Sequence, residues 1–285
     1  MTHTPSKEDI HDALRGITIP AQPQILVDIQ IEQANPQPDL RYIANLISRD
    51  PGLAGSILKV VNSPFFGMSK TITDINHAAE MLGMTMLVNI LTGISIKGSM
   101  SDGDIVALGN FWDSAIDIAQ TMSALAKKLR LRQTDEAYVL GLFHNCGIPL
   151  LLQKYPDYLQ VLQKSYQNPD NAIVDTEFSL IKTHHAVIGY YVARSWHLPP
   201  HLCDIINRHH HADDFLAMDD PASPDAKRLL AILKMAEHMC ETSNKLGQQK
   251  TDHEWNRIHP VVFDILGIHQ DRYENLREDI MELGT

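Results

Sequence analysis

His144 and Asn145 close an apolar stripe in the run Gly141-Leu142-Phe143-His144-Asn145-Cys146-Gly147. The stripe belongs to a helix beginning near Thr134, in which Ala137, Leu140 and Phe143 fall at helical spacing. Adjacent helical residues point about 100° apart, so the pair can line two walls of one pocket. A His followed by Asp at this place would offer an imidazole and a carboxylate to a divalent metal ion and its bound water. Asn keeps the shape of Asp and loses its charge, and a neutral amide is a weak ligand for such a cation.

Other histidines extend the pattern. His184-His185 and His209-His210-His211 also fall at expected helix starts or ends, and Glu237 is embedded in the apolar run Leu229 to Met239. An acidic side chain in such a run needs a partner. Two readings stay open: separately hydrogen-bonded structural histidines, or one shared pocket for a divalent metal. Cys146, two residues after His144 on one helix, points elsewhere and reads as a buried thiol, not a nucleophile.

The elements that must position these groups are helices, since strand signals are nearly absent. A short amphipathic segment (Ile10, Ala13, Leu14, Ile17) precedes the Pro20 to Pro23 punctuation, and a helix follows from Gln24 to Ala34. Asp39 and Asp50 are N-caps of the next two helices, with Pro51 at a first helical position. Asn62-Ser63-Pro64 ends the second of these, and Thr73 or Asp74 caps a helix closed by Gly83. Met84 to Ile96 is a further, more apolar helix. Beyond the Gly98 to Asp104 segment come helices over Phe111 to Leu129, Pro156 to Gln167, Asp175 to Lys182, a segment from Thr183 or His184, and His201 to His210. The acidic, two-proline stretch from Ala212 to Asp225 reads as a surface loop, and Ala226 to Thr242 as a strong helix. The last helical segments lie around Val261 to Leu266 and Tyr273 to Leu283. The fold class is therefore an all-α multi-helix bundle, divided into residues 1–103 and 104–285.

Composition narrows the function classes. A formal net charge of -11 over 285 residues argues against nucleic-acid binding. The basic cluster Lys127 to Arg132 sits where it favours a helix C-terminus. Cys146, Cys203 and Cys240 form no CxxC pair, which fits a reducing compartment; with no apolar run read as approaching the roughly 20 residues needed to span a bilayer, a cytoplasmic protein without a membrane partner is expected. No phosphate-cradling Gly-rich loop is present.

The order and spacing of several pieces resemble the HDOD branch of the HD superfamily of metal-dependent phosphohydrolases. In the first half these are Asp50-Pro51 with Leu53 and Leu58, Asn62-Ser63-Pro64-Phe65-Phe66-Gly67, Ala78 and Leu82-Gly83. In the second they are Phe111-Trp112, Gly141-Leu142-Phe143-His144, His185 with Ile188-Gly189, Trp196 with Leu198-Pro199, and Ile206 before His209-His210. The resemblance runs from about residue 17 to 211. It implies an HD-like helical core, residues 104–285 with a C-terminal helical extension, preceded by an additional N-terminal helical part.

Carried across residue by residue, the first metal-binding His of an active HD site falls on Ser114 and the His-Asp dyad on His144-Asn145. The additional histidines of some branches fall on His185 and on His209 or His210, and the final Asp on Glu237. Two ligand positions are thus lost and one is altered, which removes ligand charge and weakens metal binding. The resemblance implies a non-catalytic bacterial signal-transduction module acting on protein partners, with no catalytic residue and a degenerate pocket. Phe65 and Phe66, adjacent aromatics at a helix break, are candidates for contacting a partner. The alternative is a phosphohydrolase, acting on a nucleotide or phosphodiester, with a rearranged metal site of His144, His185, His209, His210 and Glu237. A third option is a sensor that binds a nucleotide without cutting it.

Overall fold

The computed structural model describes residues 14–66, 71–98, 109–217 and 224–284, and among them no strand occurs. Ile10 and Ala13 of the first expected segment, and the division between 103 and 104, lie outside the described residues.

Side-chain caps set several helix starts. Helix α1 (Gln24–Gln33) is followed by α2 (Leu40–Ser48), where Asp39 accepts from the backbone N–H of Arg41 and Tyr42. Asp50 does the same for Gly52 and Leu53 at α3 (Pro51–Val61), with Pro51 in the first turn. Asn62 ends α3, and its side-chain amide both accepts from Ile72 N–H (2.7 Å) and donates to Ile72 carbonyl (2.7 Å). Asp74 caps α4 (Ile75–Gly98), which is broken at Gly83 (φ 74°, ψ 170°), so the two helices expected on either side of this glycine are separate in direction. Residues 75–95 are long and apolar enough to cross a membrane, but the break and the burial of 56% of the stretch make it a core element.

The second half begins with α5 (Gly109–Lys128) and α6 (Thr134–Phe143). Every residue of α6 from Ala137 to Phe143 is buried, so this helix is apolar all round and sits at the centre. It packs on α4 and α5, and that contact joins the two halves of the chain. Then follow α7 (Gly147–Lys154), α8 (Tyr158–Gln167), α9 (Ile173–Ile181), α10 (His185–Ser195) and α11 (Pro200–Arg208).

The expected loop after His211 needs correction. Ala212–Ala217 forms a short helix, α12, which buries Ala212, Phe215 and Leu216. Three apolar contacts outweigh its two aspartates, which stand in the first turn where a helix N-terminus favours negative charge. Helix α13 (Pro224–Met239) packs against α5, α6 and α11, so the chain after residue 224 belongs to the core. Helices α14 (Thr242–Gly247), α15 (His253–Leu266, ended by Gly267 at φ 63°) and α16 (Gln270–Gly284) complete the chain.

Candidate functional site: a buried histidine pocket

His144 and His209 are built alike. Each is the residue after the last turn of its helix, α6 and α11, and each Nδ1 lies 2.7 Å from the carbonyl three residues back, of Gly141 and Ile206. Nδ1–H donation there satisfies a carbonyl that the helix end would otherwise leave unpaired. His185 opens α10, and its Nδ1 lies 2.9 and 3.0 Å from the two carboxylate oxygens of Glu177 on α9. Glu177 is fully buried and also accepts from His185 backbone N–H (2.9 Å) and Tyr158 hydroxyl (2.9 Å). The Nδ1 of His210 faces Glu254 on α15 at 3.1 Å.

All four Nδ1 atoms thus face acceptors, which leaves the four Nε2 atoms as lone-pair donors. Those of His185 and His209 are 3.4 Å apart, and the ligating nitrogens of His185, His209 and His210 lie within 4.8 Å of one another. His144 Nε2 is 3.4 Å from Glu237 Oε1, without an aligned hydrogen bond, and the ring of His144 meets that of His209 edge-on at 5.4 Å. The pocket therefore gathers His144, His185, His209, His210 and Glu237. All four histidines are at most 2% exposed.

Two of its members were not singled out in the sequence. Lys234, one turn before Glu237 on α13, places Nζ 2.8 Å from Glu237 Oε2 and 3.0 Å from Glu254 Oε2. Its embedding in the apolar run Leu229 to Ala236 was as clear a signal as that of Glu237. Glu254 has no such local signal, because its partner residues lie 20 and 44 positions away.

The electrostatics follow from this packing. Burial, with the neighbouring histidine and Lys234, holds His209 and His210 well below the usual imidazole pKa. Burial opposes ionisation of Glu237, but Lys234 and His144 outweigh it, and its carboxyl stays well below the ordinary range. For Glu254 burial wins over Lys234 and raises the pKa. For Lys234 the two carboxylates overcome burial and raise it.

The remaining candidate residues are placed differently. Ser114 on α5 and Asn145 beside His144 are buried, and Ser114 Oγ and Asn145 Oδ1 lack hydrogen-bond partners. Phe66 belongs to the 3-10 turn Pro64–Phe66, half-buried, with Lys127 Nζ 5.3 Å over its ring. The side chain of Phe65 lies outside the described residues. Cys146 is buried beside Gly189, and burial pushes its thiol far up, as suits an inert thiol.

Two imidazole nitrogens bound to one tetrahedral transition-metal ion at about 2.1 Å stand about 3.4 Å apart, so the His185 and His209 nitrogens fit one ion, with His210 within 4.8 Å of both. The carboxylates do not fit the centre that an HD phosphohydrolase implies, because Lys234 holds both and the dyad position is an amide.

Comparison with known proteins places the chain. The HDOD domain family model matches residues 19–212, a span that includes the four histidines and excludes Lys234, Glu237 and Glu254. A Treponema pallidum (strain Nichols) protein of uncharacterised function is 32% identical over 195 residues, 67% of this chain, and the chain spans only 37% of that protein's length. The crystal structure of a candidate phosphohydrolase from Shewanella amazonensis SB2B superposes with a TM-score of 0.67 at 21% identity, covering 98% of this chain and 94% of that one. A candidate signal transduction protein from Marinobacter aquaeolei VT8 gives 0.66 at 20% identity, over 98% of this chain and 64% of that one. These likenesses establish a shared fold, and with the family match they show that the chain belongs to the HDOD domain family.

Proposed function

We propose that this chain is a regulatory HDOD module that does not hydrolyse phosphate esters and that acts in signal transduction by contacting protein partners. One observation carries the reading: Lys234 Nζ lies 2.8 Å from Glu237 Oε2 and 3.0 Å from Glu254 Oε2, so a side-chain cation already holds the carboxylates that a catalytic metal would need. Ser114 and Asn145, where the family's metal ligands would stand, support the same conclusion. Specificity for a partner then rests on the exterior, and a cytoplasmic setting suits three unpaired cysteines.

A thermal-shift series with inorganic phosphate and nucleoside mono- and diphosphates tests the reading. It expects melting temperatures unchanged within a degree or so. A stabilisation of several degrees that disappears in His185→Ala would contradict it and favour the nucleotide sensor. The phosphohydrolase alternative keeps one specific support, the convergence of the His185, His209 and His210 nitrogens within 4.8 Å.

A further inference from the structure

Lys234 is only 2% exposed, in the interior of a helix, among Leu230, Leu233 and Met235. A buried ammonium persists only when it is compensated, and here the compensation is specific. Its Nζ lies 2.8 Å from Glu237 and 3.0 Å from Glu254. The same two carboxylates face the histidines, Glu237 toward His144 Nε2 (3.4 Å) and Glu254 toward His210 Nδ1 (3.1 Å). Lys234 therefore stands where the negative charge of the pocket converges, next to nitrogens spaced for a metal ion.

We infer that Lys234 is the pocket's built-in cation: its ammonium pairs with both Glu237 and Glu254 where a divalent metal would otherwise draw them, and sets how weakly the histidines hold one. A +1 charge a few ångströms from a bound divalent ion repels it by several kcal/mol even at an effective dielectric of about 20. It also withholds Glu237 as a ligand. Both effects end when the ammonium is removed. Lys234 is a determinant of metal affinity and not itself a ligand. The inference deepens the non-catalytic reading of this pocket and rests on it.

Titration of the chelator-treated full chain with Co²⁺ alone, followed by its visible d–d absorption, provides the test. Lys234→Met is expected to bind one Co²⁺ at least about 100-fold more tightly than the wild type. Lys234→Arg, which keeps the charge, should remain as weak as the wild type. If Lys234→Met folds poorly without metal, the double variant Lys234→Met/Glu254→Gln removes one charge of each sign and should still bind more tightly than wild type. Equal Co²⁺ affinities for wild type and these variants would overturn the inference, as would tight wild-type binding. Neither result depends on turnover, so failure here is distinct from a demonstration that the protein hydrolyses phosphate esters.

Discussion

A histidine at a helix start must stay neutral to accept a hydrogen bond at Nδ1. His184 caps α10 in this way, receiving Val187 N–H at 3.2 Å, and burial together with His185 lowers its pKa from 6.5 to about 4. Between these values the unfolded chain takes up a proton that the folded chain refuses. This contribution to stability is therefore lost as pH falls from 6.5 toward 4. Replacing His184 by Asn keeps a good cap without the titration. His184→Asn should flatten the pH dependence of unfolding in this window by roughly 2–3 kcal/mol, measured by urea denaturation at several pH values. An unchanged slope would show that the ring titrates freely in the folded protein. His209 and His210, also lowered, keep a residual slope of the same sign. At this scale the sequence displayed the histidines and Glu237 but not their partners. Which carboxylate meets which imidazole depends on helices distant in sequence, as with Glu254 and His210.

Helix crossings explain the glycines that bracket the central motif. A Cβ on Gly141 would come within 2.7 Å of Ala119 Cα, where α6 crosses α5. A Cβ on Gly147 would lie 2.1 Å from His185 carbonyl oxygen and 2.8 Å from Gly189 N, where α7 crosses α10. The obstruction at Gly147 is backbone, so the helices must separate, and His185 moves with α10. Gly147→Ala should cost about 1–3 kcal/mol or more. Gly55→Ala, in the exposed face of α3 with nothing within 4 Å of the added carbon, should stabilise by about 0.4–1 kcal/mol. Chemical denaturation of both variants checks the contrast, and equal effects would contradict it. Most helices were legible from caps and periodicity: Asp39, Asp50, Asp74 and Gly83 all mark ends that the structure keeps. Helix α12 was not, because Asp213-Asp214 and the following prolines resemble a loop until Phe215 and Leu216 find the core.

At the scale of the whole molecule, the family match stops at residue 212 while the fold does not. Helix α13 contributes Leu229, Leu230, Ile232, Leu233 and Met235, none more than 1% exposed. Burying each such side chain is worth about 1.5–3 kcal/mol, and together they rival the roughly 5–15 kcal/mol stability of an ordinary domain. A chain ending after Ala217 should therefore show no cooperative thermal transition by circular dichroism. A sharp transition near that of the full chain would mean that α13 to α16 form an appendage. Because α13 also brings Lys234 and Glu237, the same helix that completes the core closes the pocket. The proposal that Lys234 and the altered dyad leave the pocket without a catalytic metal centre is tested most directly by a turnover assay. The purified full chain is incubated with Mn²⁺, Fe²⁺ or Co²⁺ and a set of nucleotides, cyclic dinucleotides and an aryl phosphodiester, alongside His185→Ala. The account predicts product formation indistinguishable between the two proteins with every metal. Metal-dependent hydrolysis by the wild type that His185→Ala abolishes would contradict it.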